Sequence, residues 1–105
     1  LKQKYNNQSE IILNKYKIDL NSRKIFNEEK YLKLTEKEIE IILFLNNHNK
    51  PQNIQSLQKD VWGYISDLDT HTVETHIYRL RKKIKESFND ESFIISSKEG
   101  YHLYE

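Results

Sequence analysis

A chain of 105 residues and 12.8 kDa suits one domain with its own core, able to bury somewhat more than ~60% of the surface its unfolded form exposes. With no cysteine, disulfides and cysteine-ligated metal centres are excluded and a reducing compartment is favoured, while no apolar run approaches the ~18 residues of a membrane span. The net charge of +1 hides an asymmetry: residues 71–85 hold five Lys/Arg against the single acid Glu74, and residues 86–105 hold one Lys against five acids. A phosphate-binding surface needs local rather than total positive charge.

The chain opens at Leu1 on the polar stretch LKQKYNNQ, which lacks the apolar centre of a signal peptide. Residues 1–8 are expected to be a linker remnant, with a partner domain upstream, and residues 9–105 to form the domain. SEIIL, YKIDL, RKIF and YLKL then follow at short intervals. In YKIDL, Tyr16, Ile18 and Leu20 alternate with Lys17 and Asp19, the pattern of a strand with one dry and one wet face. These segments predict a four-stranded antiparallel meander that must pack on helices to be stable.

Leu34-Thr35-Glu36-Lys37-Glu38 reads as a helix start. Thr35 as N-cap can accept from the Glu38 N–H while the Glu38 carboxylate returns to the Thr35 N–H, and Leu34 and Ile39 stand at hydrophobic-staple positions. The apolar residues from Ile39 to Leu45 nearly encircle this helix, so it is expected to be buried scaffold. Asn46 to Pro51 ends it with residues that tolerate left-handed backbone or break helices. A second helix is predicted from about Ile54 to Trp62, capped by Asn53 and stopped by Gly63.

The third helix, about 70–86, carries the chemistry. At about 100° per residue, Ile77, Leu80 and Ile84 fall within roughly 40° of Val73 and make a core stripe. Thr75, Tyr78, Arg79 and Lys82 point away from it, with Thr72, His76 and Lys83 on one flank. A charge run at a helix end is ordinarily solvated, since cations there favour the helix dipole. For His76 the competing reading is an edge-of-core histidine. Arg81, on the other flank, is expected to pair with an acid of a neighbouring helix, and Trp62 to belong to the core. FIIS and YHLY around Gly100 predict a terminal hairpin, with Gly100 supplying positive φ.

The order of sheet, three helices and hairpin is that of an α+β winged helix-turn-helix with an N-terminal four-stranded sheet and a C-terminal wing. LTEKE at 34–38, VWG at 61–63, TVETHIYRLRKKI at 72–84 and GYHL at 100–103 together resemble the C-terminal DNA-binding domain of OmpR/PhoB-type response regulators. Any one of these is weak, but four in this order and spacing are specific. The resemblance implies that the third helix enters the major groove of double-stranded DNA and that the wing approaches the minor groove. It also implies that the loop of Tyr64, Ile65, Ser66, Asp67 and Leu68 meets RNA polymerase. The DNA contacts are then expected from Thr72, Thr75, His76, Tyr78, Arg79, Lys82, Lys83 and Lys98.

The same resemblance implies a cytoplasmic output domain of a two-component system, governed by a receiver domain, monomeric in isolation and a tandem dimer on DNA. Three departures stand out: His71 where the family usually has Arg, Glu74 where it has Asp, and ISSKEGY in the wing, where Glu99 beside Lys98 repels the DNA backbone. The acidic wing and the low net charge motivate a competing reading, a winged-helix interaction module that has lost most DNA binding. HTVETH is not a metal motif, because His71 and His76 are five apart and sit roughly 140° from each other around the helix. No nucleophile elbow, phosphate loop or convergent acid pair is present, so an enzyme is not expected, nor a cofactor.

Overall fold

The computed structural model describes residues 10–13, 15–63 and 69–103. Residues 1–8, expected as a linker remnant, and residues 64–68, expected to meet RNA polymerase, lie outside them. Strands β1 (Glu10–Leu13), β2 (Tyr16–Asp19), β3 (Lys24–Asn27) and β4 (Lys30–Lys33) form an antiparallel meander in chain order. The register aligns Ile11, Ile18, Ile25 and Leu32 in one row across the sheet. Side chains alternate along each strand, so this row faces the helices, and Ile18 and Ile25 are fully buried. Two turns hold non-glycine residues at positive φ, Arg23 at 58° and Glu28 at 60°, which the sequence does not announce.

Helix α1 (Glu36–Asn46) begins on the expected capping box. The Glu38 N–H donates to Thr35 Oγ1 at 3.2 Å and the Thr35 N–H to Glu38 Oε1 at 2.9 Å. Ile39, Ile41, Ile42, Phe44 and Leu45 are all buried, as a helix packed on several sides requires. It stops without left-handed backbone, because Asn47 stays right-handed at φ −81°. Helix α2 (Ile54–Trp62) is capped by Asn53, whose Oδ1 accepts from the Ser56 N–H at 2.8 Å, and ends on Gly63 at φ 101°.

Helix α3 (Thr70–Phe88) packs on α1, α2 and β4 through the expected stripe of Val73, Ile77, Leu80 and Ile84, all buried. It runs two residues beyond the expected end. Phe88 lies about 60° from Val73 on the same wheel, so continuing the helix places an aromatic ring in the core, and Asn89 then stops it in left-handed backbone. Strands β5 (Ile94–Ser97) and β6 (Gly100–Leu103) form the wing, turning on Lys98 and Glu99. The wing is moored to the α1–α2 connection by two backbone hydrogen bonds of 2.9 Å exchanged between Gln52 and Tyr101. Among the described residues no helix is long and apolar enough to cross a membrane.

Tyr16 ties the sheet to the end of α3. Its ring packs at 5.3 Å on Phe88 and edge-on at 5.2 Å on Phe93, while its hydroxyl donates to Asp90 Oδ2 at 2.5 Å. Burial first, and then the Asp90 carboxylate, push the Tyr16 pKa well above the ordinary tyrosine value. Above about pH 10 the unfolded chain releases this proton and the folded chain keeps it, so stability falls as pH rises through that range. Urea midpoints measured from pH 9 to 11 are expected to drop less steeply for Tyr16→Phe. At pH 7 that substitution is expected to cost about 1.5 kcal/mol, the value of a hydrogen bond to a charged group.

Candidate nucleic-acid interface

With the apolar stripe of α3 against the core, the opposite face has nowhere to go but solvent. Tyr78 is 63% exposed, and Arg79 and Lys82 are exposed beside it. Lys82 stands on a ridge between two shallow grooves. One, of about 380 Å³, lies towards α1 and is lined by Thr35, Glu38, His76, Arg79, Lys82, Lys83 and Glu86. The other, of about 500 Å³, is lined by Tyr78, Arg81, Lys82, Lys85, Glu86 and Glu91, with Lys85 and Glu91 paired at 3.3 Å.

The start of α3 is already occupied by an anion of the chain itself. Asp69 Oδ1 accepts from the Thr72 N–H at 3.0 Å and from the Thr72 hydroxyl at 3.2 Å. These two bonds, the backbone one first, hold the Asp69 pKa below the ordinary aspartate value, so the cap is charged at neutral pH. A phosphate approaching this helix end meets a carboxylate, although bare helix N-termini attract anions. The Thr75 hydroxyl is spent in the same way, donating to the His71 carbonyl at 3.0 Å. Both threonines keep lone pairs free and can therefore accept from an amino group of a base without breaking these bonds.

Of the expected contact residues, the structure gathers Thr72, Thr75, Tyr78, Arg79 and Lys82 along the outward face and engages the other two helix residues inward. Lys83 Nζ donates to Glu38 Oε1 at 2.7 Å, an ion pair in which the Glu38 side chain is 8% and the Lys83 side chain 33% exposed. His76 packs edge-on against Trp62 with ring centroids 5.0 Å apart, which favours the edge-of-core reading of this histidine. Lys37 stacks its ammonium on Trp62 at 5.5 Å and donates to the Val61 carbonyl at 3.0 Å, so Trp62 packs against the core as expected.

The expectation for Arg81 is corrected in the same region. Glu38 of α1 takes up Lys83 of the basic run, and among the described residues Arg81 makes no ion pair with an acid of a neighbouring helix. Arg81 instead borders the wing. Burial first, and then the Glu74 carboxylate, raise the Tyr101 pKa and the Arg81 charge opposes them, so both α3 residues act on this wing tyrosine. At the wing tip Lys98 is exposed, next to a Glu99 whose carboxylate accepts from the Ser97 hydroxyl at 3.2 Å. In the sequence Glu38 reads only as a cap; its second role depends on a residue 45 positions away and has no local signal.

Comparison with known proteins gives a consistent result. The family model described as "Transcriptional regulatory protein, C terminal" matches residues 27–103. A probable transcriptional regulator, ycf27, of Galdieria sulphuraria is 30% identical over 92 residues, covering 85% of this chain and 36% of the relative. This chain thus spans about a third of the length of that protein. The DNA-binding domain of E. coli CadC shares the fold, with a TM-score of 0.79 at 23% identity over 92% of both chains. The DNA-binding domain of the response regulator AdeR, solved in complex with an intercistronic region, superposes with a TM-score of 0.74 at 26% identity, covering 89% of this chain and 97% of that one.

Proposed function

Since the chain belongs to the family of C-terminal domains of transcriptional regulatory proteins, we propose that it binds double-stranded DNA sequence-specifically by laying the outward face of α3 in the major groove. One observation carries this reading: Tyr78, Arg79 and Lys82 form an exposed ridge on a helix whose opposite side is wholly committed to the core. A helix of roughly 10–12 Å diameter fits a major groove about 12 Å wide. The complex of AdeR with an intercistronic region supports the assignment by likeness of fold.

In this reading Arg79 meets a guanine edge or a phosphate, Tyr78 and Lys82 meet bases or backbone, and Thr72 and Thr75 accept from base amino groups. Lys98 reaches the backbone from the wing. His76 and Lys83 are left out, being engaged by Trp62 and Glu38. The full protein is a response regulator in which a receiver domain drives tandem pairing on DNA, and residues 64–68 are the contact for RNA polymerase.

Three free cations, Arg79, Lys82 and Lys98, predict a slope of log affinity against log salt of about −2 to −3, since each phosphate neutralised contributes about −0.9. The test is a salt titration against a duplex selected from a random-sequence pool. Arg79→Ala is expected to weaken binding by about 1–3 kcal/mol. Relaxed discrimination at one base pair then identifies a guanine contact, and a slope shallower by about 0.9 with uniform weakening identifies a phosphate contact. Binding that ignores both salt and Arg79 overturns the proposal.

A further inference from the structure

Glu38 belongs to α1, yet its carboxylate is bonded to a cation of α3. One carboxylate oxygen, Oε1, accepts both the Thr35 N–H at 2.9 Å and Lys83 Nζ at 2.7 Å. The first bond fixes that oxygen to the start of α1, so the second fixes the middle of α3 to the same point. Lys83 stands four residues after Arg79, one turn along the same flank, and the two line a common groove with Lys82. Its ammonium is therefore within a side chain's reach of the proposed DNA surface and is held back from it.

We infer that Glu38 is a positioning residue of the DNA interface, holding Lys83 off the phosphate backbone and leaving Arg79 to set the register of that flank. The inference rests on the DNA-binding reading above. Binding of DNA does not release Lys83, because its departure strands a carboxylate in a residue only 6% exposed. That charge is left buried with the Thr35 N–H but no cation beside it, a cost that outweighs the return from one more contact to a solvated phosphate. Neutralising Glu38 removes this hold. A glutamine still accepts the Thr35 N–H, so the cap survives, while Lys83 swings into the groove beside Arg79 and meets the backbone.

The experiment compares salt slopes of duplex binding for four chains: wild type, Glu38→Gln, Lys83→Met and the double variant, using the selected duplex and one of mixed sequence. Glu38→Gln is expected to steepen the slope by about 0.9 on both duplexes, one added phosphate contact, and the double variant to return it to the wild-type value. Loss of a cap or of core packing alone does not steepen a salt slope. Lys83→Met alone is expected to leave the slope unchanged, and this arm does not depend on how well Glu38→Gln folds. A slope shallower by about 0.9 in Lys83→Met would mean that Lys83 already lies on the backbone and would overturn the inference. An unchanged slope in folded Glu38→Gln would overturn it too. In either case a salt-dependent wild type leaves the DNA-binding reading standing; a wild type that binds neither duplex removes that reading instead.

Discussion

Gly100→Ala is expected to cost about 3–5 kcal/mol of stability, combining backbone strain with lost hydrogen bonds. Gly100 sits at φ 133°, a conformation that L residues rarely adopt. A Cβ built there lies 2.2 Å from the Gln52 carbonyl oxygen, 2.5 Å from its carbon and 2.9 Å from the Asn53 nitrogen. All three are backbone atoms, so no rotamer change relieves the clash. The wing has to lift off Gln52, which gives up the paired 2.9 Å hydrogen bonds with Tyr101 and disturbs Asn53, the cap of α2.

Gly63→Ala provides the contrast. Its φ of 101° imposes comparable strain, but a Cβ there meets nothing within 4 Å. It is expected to cost about 1–2 kcal/mol, the strain alone. Thermal melts followed by the fluorescence of the single tryptophan, Trp62, separate the two. At about 4–8 °C per kcal/mol for a domain of this size, the Gly100 variant is displaced by roughly 12–40 °C. A Gly100 shift no larger than that of Gly63 would mean that the wing is not moored through Gln52.

Features encoded within one turn or one strand were readable from the sequence. The capping box depends on Thr35 and Glu38, three residues apart, and the core face of α3 on a fixed angle per residue. Strand alternation likewise fixed the dry row of the sheet. What could not be read depends on groups brought together from afar. Lys83 and His76 look free on an isolated helix, and only the packing of α1 and α2 supplies Glu38 and Trp62 at that flank. Gly100 was legible as a turn glycine, but its close approach to Gln52 was not, because no local pattern reports a neighbour 48 positions away. The positive φ at Arg23 and Glu28 escaped for another reason: neither is a residue type that marks left-handed backbone.

Leu80→Ala and Tyr78→Ala, two residues apart on α3, are expected to fail in opposite ways. Leu80 is fully buried in the stripe that seats the helix, so its truncation removes transfer free energy and leaves a cavity between α3 and its neighbours. The expected loss is about 3–4 kcal/mol, a large share of the roughly 5–15 kcal/mol that holds a domain folded. Tyr78 projects into solvent at 63% exposure, and removing its ring is expected to change stability by no more than about 0.5 kcal/mol. On DNA the order reverses. Leu80→Ala, corrected for its unfolded fraction from a urea titration, is expected to bind the selected duplex within about twofold of wild type. Its exposed ridge is unchanged, and a factor of two corresponds to only about 0.4 kcal/mol. Tyr78→Ala is expected to lose about 1 kcal/mol or more of affinity while staying fully folded, as loss of a hydrogen bond to a base edge or phosphate does. If both variants lost affinity only in proportion to lost stability, the outward face of α3 would have no role beyond its fold, and the ridge of Tyr78, Arg79 and Lys82 would not be the reading surface.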